Sequence, residues 1–230
     1  MSALADLYFS PREAFQALLP RPHFWIPLLG WMALVLAFTG VWLTQVDTHA
    51  YIRAQLEESG QADKMPPEQA ASVVEAQARA FPVMAWVGPL VFLPIGFFAM
   101  AALYLFVFRF LFGGDVTFGQ SAAILAWTFL VVGLVTTPLT LLVLGLKDDW
   151  TLDPRLALQA NPTLFLEKGS VPAPVYSLAE SLDLFSFWML GLMAAGYGVA
   201  NRRSTAWALW GVVGVSAAYV LAKMALAAIF

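Results

Sequence analysis

SLDLFSFWMLGLMAAGYGVANRRS, residues 181–204, sets the reading of the whole chain. An acid, Asp183, heads an apolar run that carries no further charge until Arg202 and Arg203. Gly191, Ala195 and Gly198 give that run one face of small side chains, through which helices approach closely in a bilayer. A second apolar run begins directly after the arginine pair. Two apolar runs joined by a short basic turn describe a transmembrane hairpin, with the turn on the side of the membrane that retains positive charge.

The rest of the chain repeats the pattern. Of its 230 residues 60% are hydrophobic and only 12% are charged, with a mean hydropathy of +0.74. A soluble domain is about a quarter charged. The apolar residues fall in blocks that approach or exceed the roughly 20 needed to cross the hydrocarbon core. The expected fold class is therefore all-α, a polytopic integral membrane protein with five transmembrane helices, a projecting outer helical hairpin and an N-terminal interfacial helix. Spans are expected over 24–46, 82–112, 121–146, 182–200 and 205–229, within a single membrane domain covering 1–230. The formal charge of −3, with no basic run, argues against nucleic acid as a partner. The absence of cysteine removes disulfides, thiolate metal sites and thiol nucleophiles together. Asp6 and Glu13 interrupt the region that a cleavable signal would keep positive.

Segment 1–23 is expected to hold a helix over 3–19, started by Ser10, Pro11 and Glu13 as a capping hydroxyl, a first-turn proline and a glutamate reaching back. Ala14, Phe15, Leu18 and Leu19 share its apolar face. Such a face suits the headgroup layer or the protein's own bundle. After the first span, 47–80 reads as a helical hairpin with its tip near Gly60 to Pro67 and solvated charges along it. The second span is long, and Pro82, Gly88, Pro89, Pro94 and Gly96 predict a kinked or partly unwound first half. Thr136, Thr137 and Pro138 predict a bend in the third, with the hydroxyls taking up freed backbone groups. The connection 147–180 is polar and proline-rich and reads as short turns.

Five spans place the termini on opposite sides. Arg12, Arg21, Arg109, Arg202 and Arg203 then lie on the cytoplasmic side, close to span ends. Arg53, Lys64, Arg79, Lys147, Arg155 and Lys168 are spread over longer outer loops. The expected orientation is N-terminus in and C-terminus out.

Within the bilayer the ionisable residues are Arg109, Asp183 and Lys223. Desolvating such a charge costs several kcal/mol, roughly, unless it is paired, so each is a functional candidate. Asp183 and Lys223 belong at similar depth toward the outer leaflet and are expected to pair, as a binding site or as a structural bridge with a snorkelling lysine. Glu180, Asp148 and Asp149 are expected to join the same outer vestibule. Arg109 with Asp115, and the Arg202–Arg203 turn, are expected to anchor the cytoplasmic end. His49 with Asp47, Asp148 and Asp149 offers mixed ligands but no spaced metal signature, and no metal or other cofactor is assigned. Ser186 and Ser216 have no base at their depth, since His23 and His49 fall at interfaces, so no catalytic residue is assigned. The small residues of the last two spans suit a close helical hairpin, self-association or a membrane-protein partner, with the lipid bilayer as the environment common to all three.

Three stretches together resemble the Yip family: FSPREAFQALLPRPHFWIPLL (9–29), FGGDVTFGQSAAILAWTF (112–129) and SLAESLDLFSFWMLGLMAAGYGVANRRSTAWA (177–208). These are the Ypt/Rab-interacting five-span membrane proteins, and the chain looks most like their prokaryotic branch. The similarity covers nearly the whole chain except 47–80. The cytosolic N-terminal region and the Asp-Leu-x-Gly-Pro pattern of eukaryotic members are missing. The resemblance implies five spans in the cytoplasmic membrane and no catalytic residues. Vesicle trafficking and small-GTPase binding belong to machinery that a prokaryotic cell lacks. The functional expectation is a non-enzymatic protein of membrane organisation or membrane-embedded interaction. The alternative is a transporter or scramblase for small solutes, ions or lipids, using the Asp183–Lys223 vestibule.

Overall fold

The computed structural model describes residues 3–158, 160–166 and 170–229. Lys168, and part of the 147–180 connection, lie outside them. The chain is all-helical. The helices are α1 (Ala3–Phe9), α2 (Pro11–Leu18), α3 (Trp25–Gln45), α4 (Thr48–Glu58), α5 (Pro67–Leu111), α6 (Phe118–Lys147), α7 (Ala173–Ser181), α8 (Leu184–Ala200) and α9 (Thr205–Ile229). Helices α3, α5, α6 and α9 are long and apolar enough to cross a membrane, and α7 with α8 makes a fifth candidate span bent by 55°. Only 11% to 22% of the most apolar window of each long helix is buried, so their remaining apolar surface belongs against lipid.

Helix α5 runs for 45 residues, about 67 Å at 1.5 Å per residue, more than twice a hydrocarbon core of about 30 Å. Its polar beginning, Pro67–Arg79, is therefore not needed to cross a bilayer. The expected unwinding near its prolines is absent. A wide π turn over Gly88–Phe92 occurs there instead, with the Leu93 amide donating to Gly88 O. The wider turn shifts the hydrogen-bond register beside Pro89 and Pro94, so the helix continues without breaking. A second π turn over Val107–Leu111 ends α5. Helix α6 likewise passes through Pro138 unbroken, with Thr140 Oγ1 donating to Thr136 O at 2.9 Å.

The chain divides into two compact units. One is drawn from Met1–Trp31, Gly96–Val135 and Gln159–Phe230. At its centre, Ala122 to Ala126 of α6 are buried on every side. A helix apolar all round suits that position. Phe15, Leu7 and Leu19 are buried as well, so the N-terminal apolar face packs on its own bundle. The predicted capping box does not form. Ser10 offers its carbonyl to Ala14 N but no side-chain cap, and it separates α1 from α2. Gly196 on α8 lets α6 and α2 close in, since a Cβ there would lie 2.8 Å from Ile124 Cγ2 and 3.3 Å from Phe15 Cδ2.

The other unit is drawn from Met32–Ile95 and Thr136–Leu158. Helix α4 and the start of α5 form a hairpin closed at Gly60, whose φ of +65° glycine adopts without strain. Its core joins Trp42, Tyr51 and Phe81, with ring centroids 5.1–5.6 Å apart, to Ile52, Leu56, Val74 and Leu144. Trp42 Nε1 also donates to Trp150 O at 3.2 Å. The charges of this hairpin face outward, among them the Glu75–Arg79 pair one turn apart. Asp47 caps α4 by accepting from His49 N and Ala50 N, and the Ala50 amide above all holds its carboxyl below the usual range. Asp153 is partly buried, which opposes ionisation, but its hydrogen bonds to Arg155 prevail and lower its pKa.

Candidate functional site

Near the chain's C-terminal end, α7 packs against α9. Lys223 of α9 meets Glu180 of α7 in a direct ion pair. The expected Asp183–Lys223 pair is thereby replaced. Asp183 sits at the break between α7 and α8 with extended backbone (φ −94°, ψ 139°) and caps α8, accepting from Phe185 N at 2.9 Å and Ser186 N at 3.1 Å. Its second oxygen accepts from Ala160 N at 3.3 Å. A residue that caps one helix cannot also continue the helix before it, so the chain turns at Leu182 and Asp183 separates from Glu180. The pattern was present in the sequence: an aspartate opening an apolar helix is a capping signal, and LDLFSF has that form.

The Glu180–Lys223 pair lines a cleft of about 360 Å³ with Tyr176, Ser177, Val171 and Ala227. Ser177 is 6% exposed, and among the described residues its hydroxyl has no hydrogen-bond partner. Nothing in the sequence marked Ser177. Each charge of the pair satisfies the other at the cleft wall, and Ser177 leaves a polar group inside it. That arrangement can hold a small polar group next to a neutralised charge pair.

The remaining candidates lie elsewhere. Asp148 and Asp149 belong to the other unit. Asp148 takes a φ of 50° after the end of α6, and Asp149 accepts from Thr151 N and Oγ1. The Thr151 hydroxyl bond is the main reason its carboxyl lies below the usual range. Arg109 is exposed on the second π turn, and Asp115 is exposed in the following loop. Among the described residues no ion pair joins them, so the expected anchor does not form as a pair. Arg202 and Arg203 end α8 in a Schellman turn, with Arg203 N donating to Gly198 O at 2.8 Å and Arg202 N to Val199 O at 3.0 Å.

The polar contacts that sequence reasoning missed are interior. Asn201, 6% exposed, accepts from Val116 N at 3.1 Å and donates to Tyr197 O at 2.8 Å. It thus fastens the 113–117 loop to the end of α8. Gly114 is required beneath it, because a Cβ there would stand 2.1 Å from Asn201 Oδ1. The fully buried Tyr197 hydroxyl meets Ser121 Oγ at 2.7 Å, and Ser121 donates to Ala101 O. Phe108 and Tyr104 stack on the Tyr197 ring at 4.3 Å and 5.3 Å between centroids. These residues tie α5, α6 and α8 together.

A family model described as Yip1 domain matches residues 5–227. The match covers nearly the entire chain, including the 47–80 hairpin that the resemblance had left out, and the chain belongs to the Yip1 domain family. No curated protein and no solved structure matched it.

Proposed function

We infer, from membership of the Yip1 domain family, that this multi-span membrane protein acts without catalysis, organising membrane or serving as a membrane-embedded interaction partner. Members of the family are generally non-enzymatic membrane trafficking proteins. We place it with the prokaryotic branch, in the cytoplasmic membrane with its N-terminus inside. The supporting observation is how the polar groups of the first unit are used. Asp183 caps a helix, Asn201 and Tyr197 tie segments together, and Glu180 and Lys223 satisfy each other. Such groups hold a scaffold and leave its lipid-facing helices to meet a partner or a second copy. Photo-crosslinking from Gly191, where an added side chain meets open space, tests this. A reproducible crosslinked protein or dimer is the expected result, and crosslinks to lipid alone would overturn it.

One observation favours a second reading, transport or lipid scrambling: the Ser177 hydroxyl in the Glu180–Lys223 cleft, which has no hydrogen-bond partner among the described residues. In proteoliposomes this reading requires solute flux or lipid scrambling that Glu180→Gln and Lys223→Gln each reduce. Absence of both activities sets it aside.

A further inference from the structure

The second half of α5, α8 and α9 enclose an apolar groove of about 770 Å³ within the first unit. Its lining includes Phe112 and Gly211, which adjoin each other, and Met100 and Tyr219 farther along the same two stretches of chain. Met100 and Phe112 are twelve positions apart, about 18 Å of helix, against about 15 Å for one leaflet's share of the hydrocarbon core. The two glycines along it differ. Gly211 is a packing contact, since a Cβ there would press on the Phe108 ring at 2.8 Å. At Gly214 a Cβ would meet nothing within 4 Å, so the groove stays open beside it.

The Phe112 end leads to a cluster of positive charge. Phe112 meets Trp207 edge to face at 5.4 Å, and the Arg203 guanidinium lies 5.9 Å above the Trp207 ring. Arg12 joins the same turn, donating to Arg203 O at 3.1 Å and Thr205 Oγ1 at 3.3 Å. Among the described residues no carboxylate forms an ion pair with Arg12, Arg202 or Arg203. Arg202 is also unusual for its backbone. It occupies the left-handed position of the Schellman turn, with φ 55°, where glycine is the preferred residue. Charge is thus kept at a position where it costs stability, and such violations of local preference concentrate at functional sites.

We propose that this groove and turn bind an anionic glycerophospholipid of the adjoining leaflet, with one acyl chain in the groove and the phosphate headgroup at Arg202, Arg203 and Arg12. The apolar length takes the chain, and the basic turn at only one end fixes which way the lipid lies. Anionic over zwitterionic selectivity comes from the arginines, and retention comes from the groove.

The test uses the full chain in detergent, with retained lipid counted by native mass spectrometry on adding palmitoyl-oleoyl phosphatidylglycerol or phosphatidylcholine. The expected result is at least tenfold tighter binding of the phosphatidylglycerol. Arg202→Gly suits the turn's backbone and keeps the fold, so loss of that preference with phosphatidylcholine binding unchanged reports on the headgroup site alone. Gly214→Phe starts from a position where a Cβ meets nothing within 4 Å and puts its ring into the groove, so binding of both lipids should fall together. Equal binding of the two lipids by the wild-type chain would overturn the proposal, as would Gly214→Phe leaving both unchanged. A Gly214→Phe variant that instead converts a dimer to a monomer would assign the groove to a second copy and also overturn it.

Discussion

Asp183 is the residue whose meaning changed most. Depth and charge made it the partner of Lys223, but its geometry is that of a helix cap. Cap and charge make opposite predictions for one substitution. Asparagine caps as well as aspartate does, so Asp183→Asn should leave thermal stability in detergent nearly unchanged. Asp183→Ala should cost roughly 1 kcal/mol. If Asp183→Asn is as harmful as Asp183→Ala, the charge itself matters and the cap does not explain the residue. Asn201 makes a larger prediction. Asn201→Ala leaves the buried Val116 amide without an acceptor, at about 1–3 kcal/mol, read from the denaturant midpoint of the purified chain. A variant unfolding at the wild-type midpoint would show that the 113–117 loop is held by other contacts.

Among elements, the approach of α8 to α6 depends on Gly196. An alanine there must displace Ile124 or Phe15, an overpacking cost of roughly 1–3 kcal/mol. Ile124→Ala opens the same space, so the double variant should be less destabilised than the sum of the singles, with a coupling of at least about 0.5 kcal/mol. Strict additivity would mean the two side chains do not compete. In the other unit, the Asp153–Arg155 bonds sit in a single helical turn, Pro154–Ala157, that packs Ala157 into the aromatic core. Because the folded-state pKa of Asp153 is depressed, its contribution is fully present above the unfolded aspartate value of about 4. It is lost as pH falls through the lower folded value. Hydrogen exchange of residues 147–158 between pH 5 and pH 2.5 should therefore show acid loosening in the wild-type chain. That loosening should be weaker in Asp153→Asn, and parallel acid curves would refute the link.

At the scale of the whole molecule, the features legible in the sequence are those that the bilayer dictates. Apolar length alone separated the spanning blocks, and Gly60 with Pro66–Pro67 marked a hairpin tip because local turn chemistry is short-range. What escaped the reading depends on contacts between distant segments. Asn201 holds the amide of Val116, 85 positions away, and Lys223 takes Glu180 rather than Asp183 because one capped break turns the chain. Periodicity carries no record of either. The break also leaves the span count itself to experiment, since α7 and α8 cross only if the bent pair acts as one span. The chain has no cysteine, so single cysteines report sidedness without background. With the N-terminus inside, Gln61→Cys and Lys147→Cys should react with an impermeant maleimide in intact cells. Asp115→Cys and Arg203→Cys should react only after permeabilisation. An exchange of the two sets inverts the orientation but keeps five spans. If Lys147→Cys and Arg203→Cys report the same side, the bent pair does not cross. The basic turn would then face the opposite leaflet from the 113–117 loop, which the Asn201 contact to Val116 forbids for a folded chain. Lys147→Cys and Arg203→Cys are therefore expected to report opposite sides of the membrane.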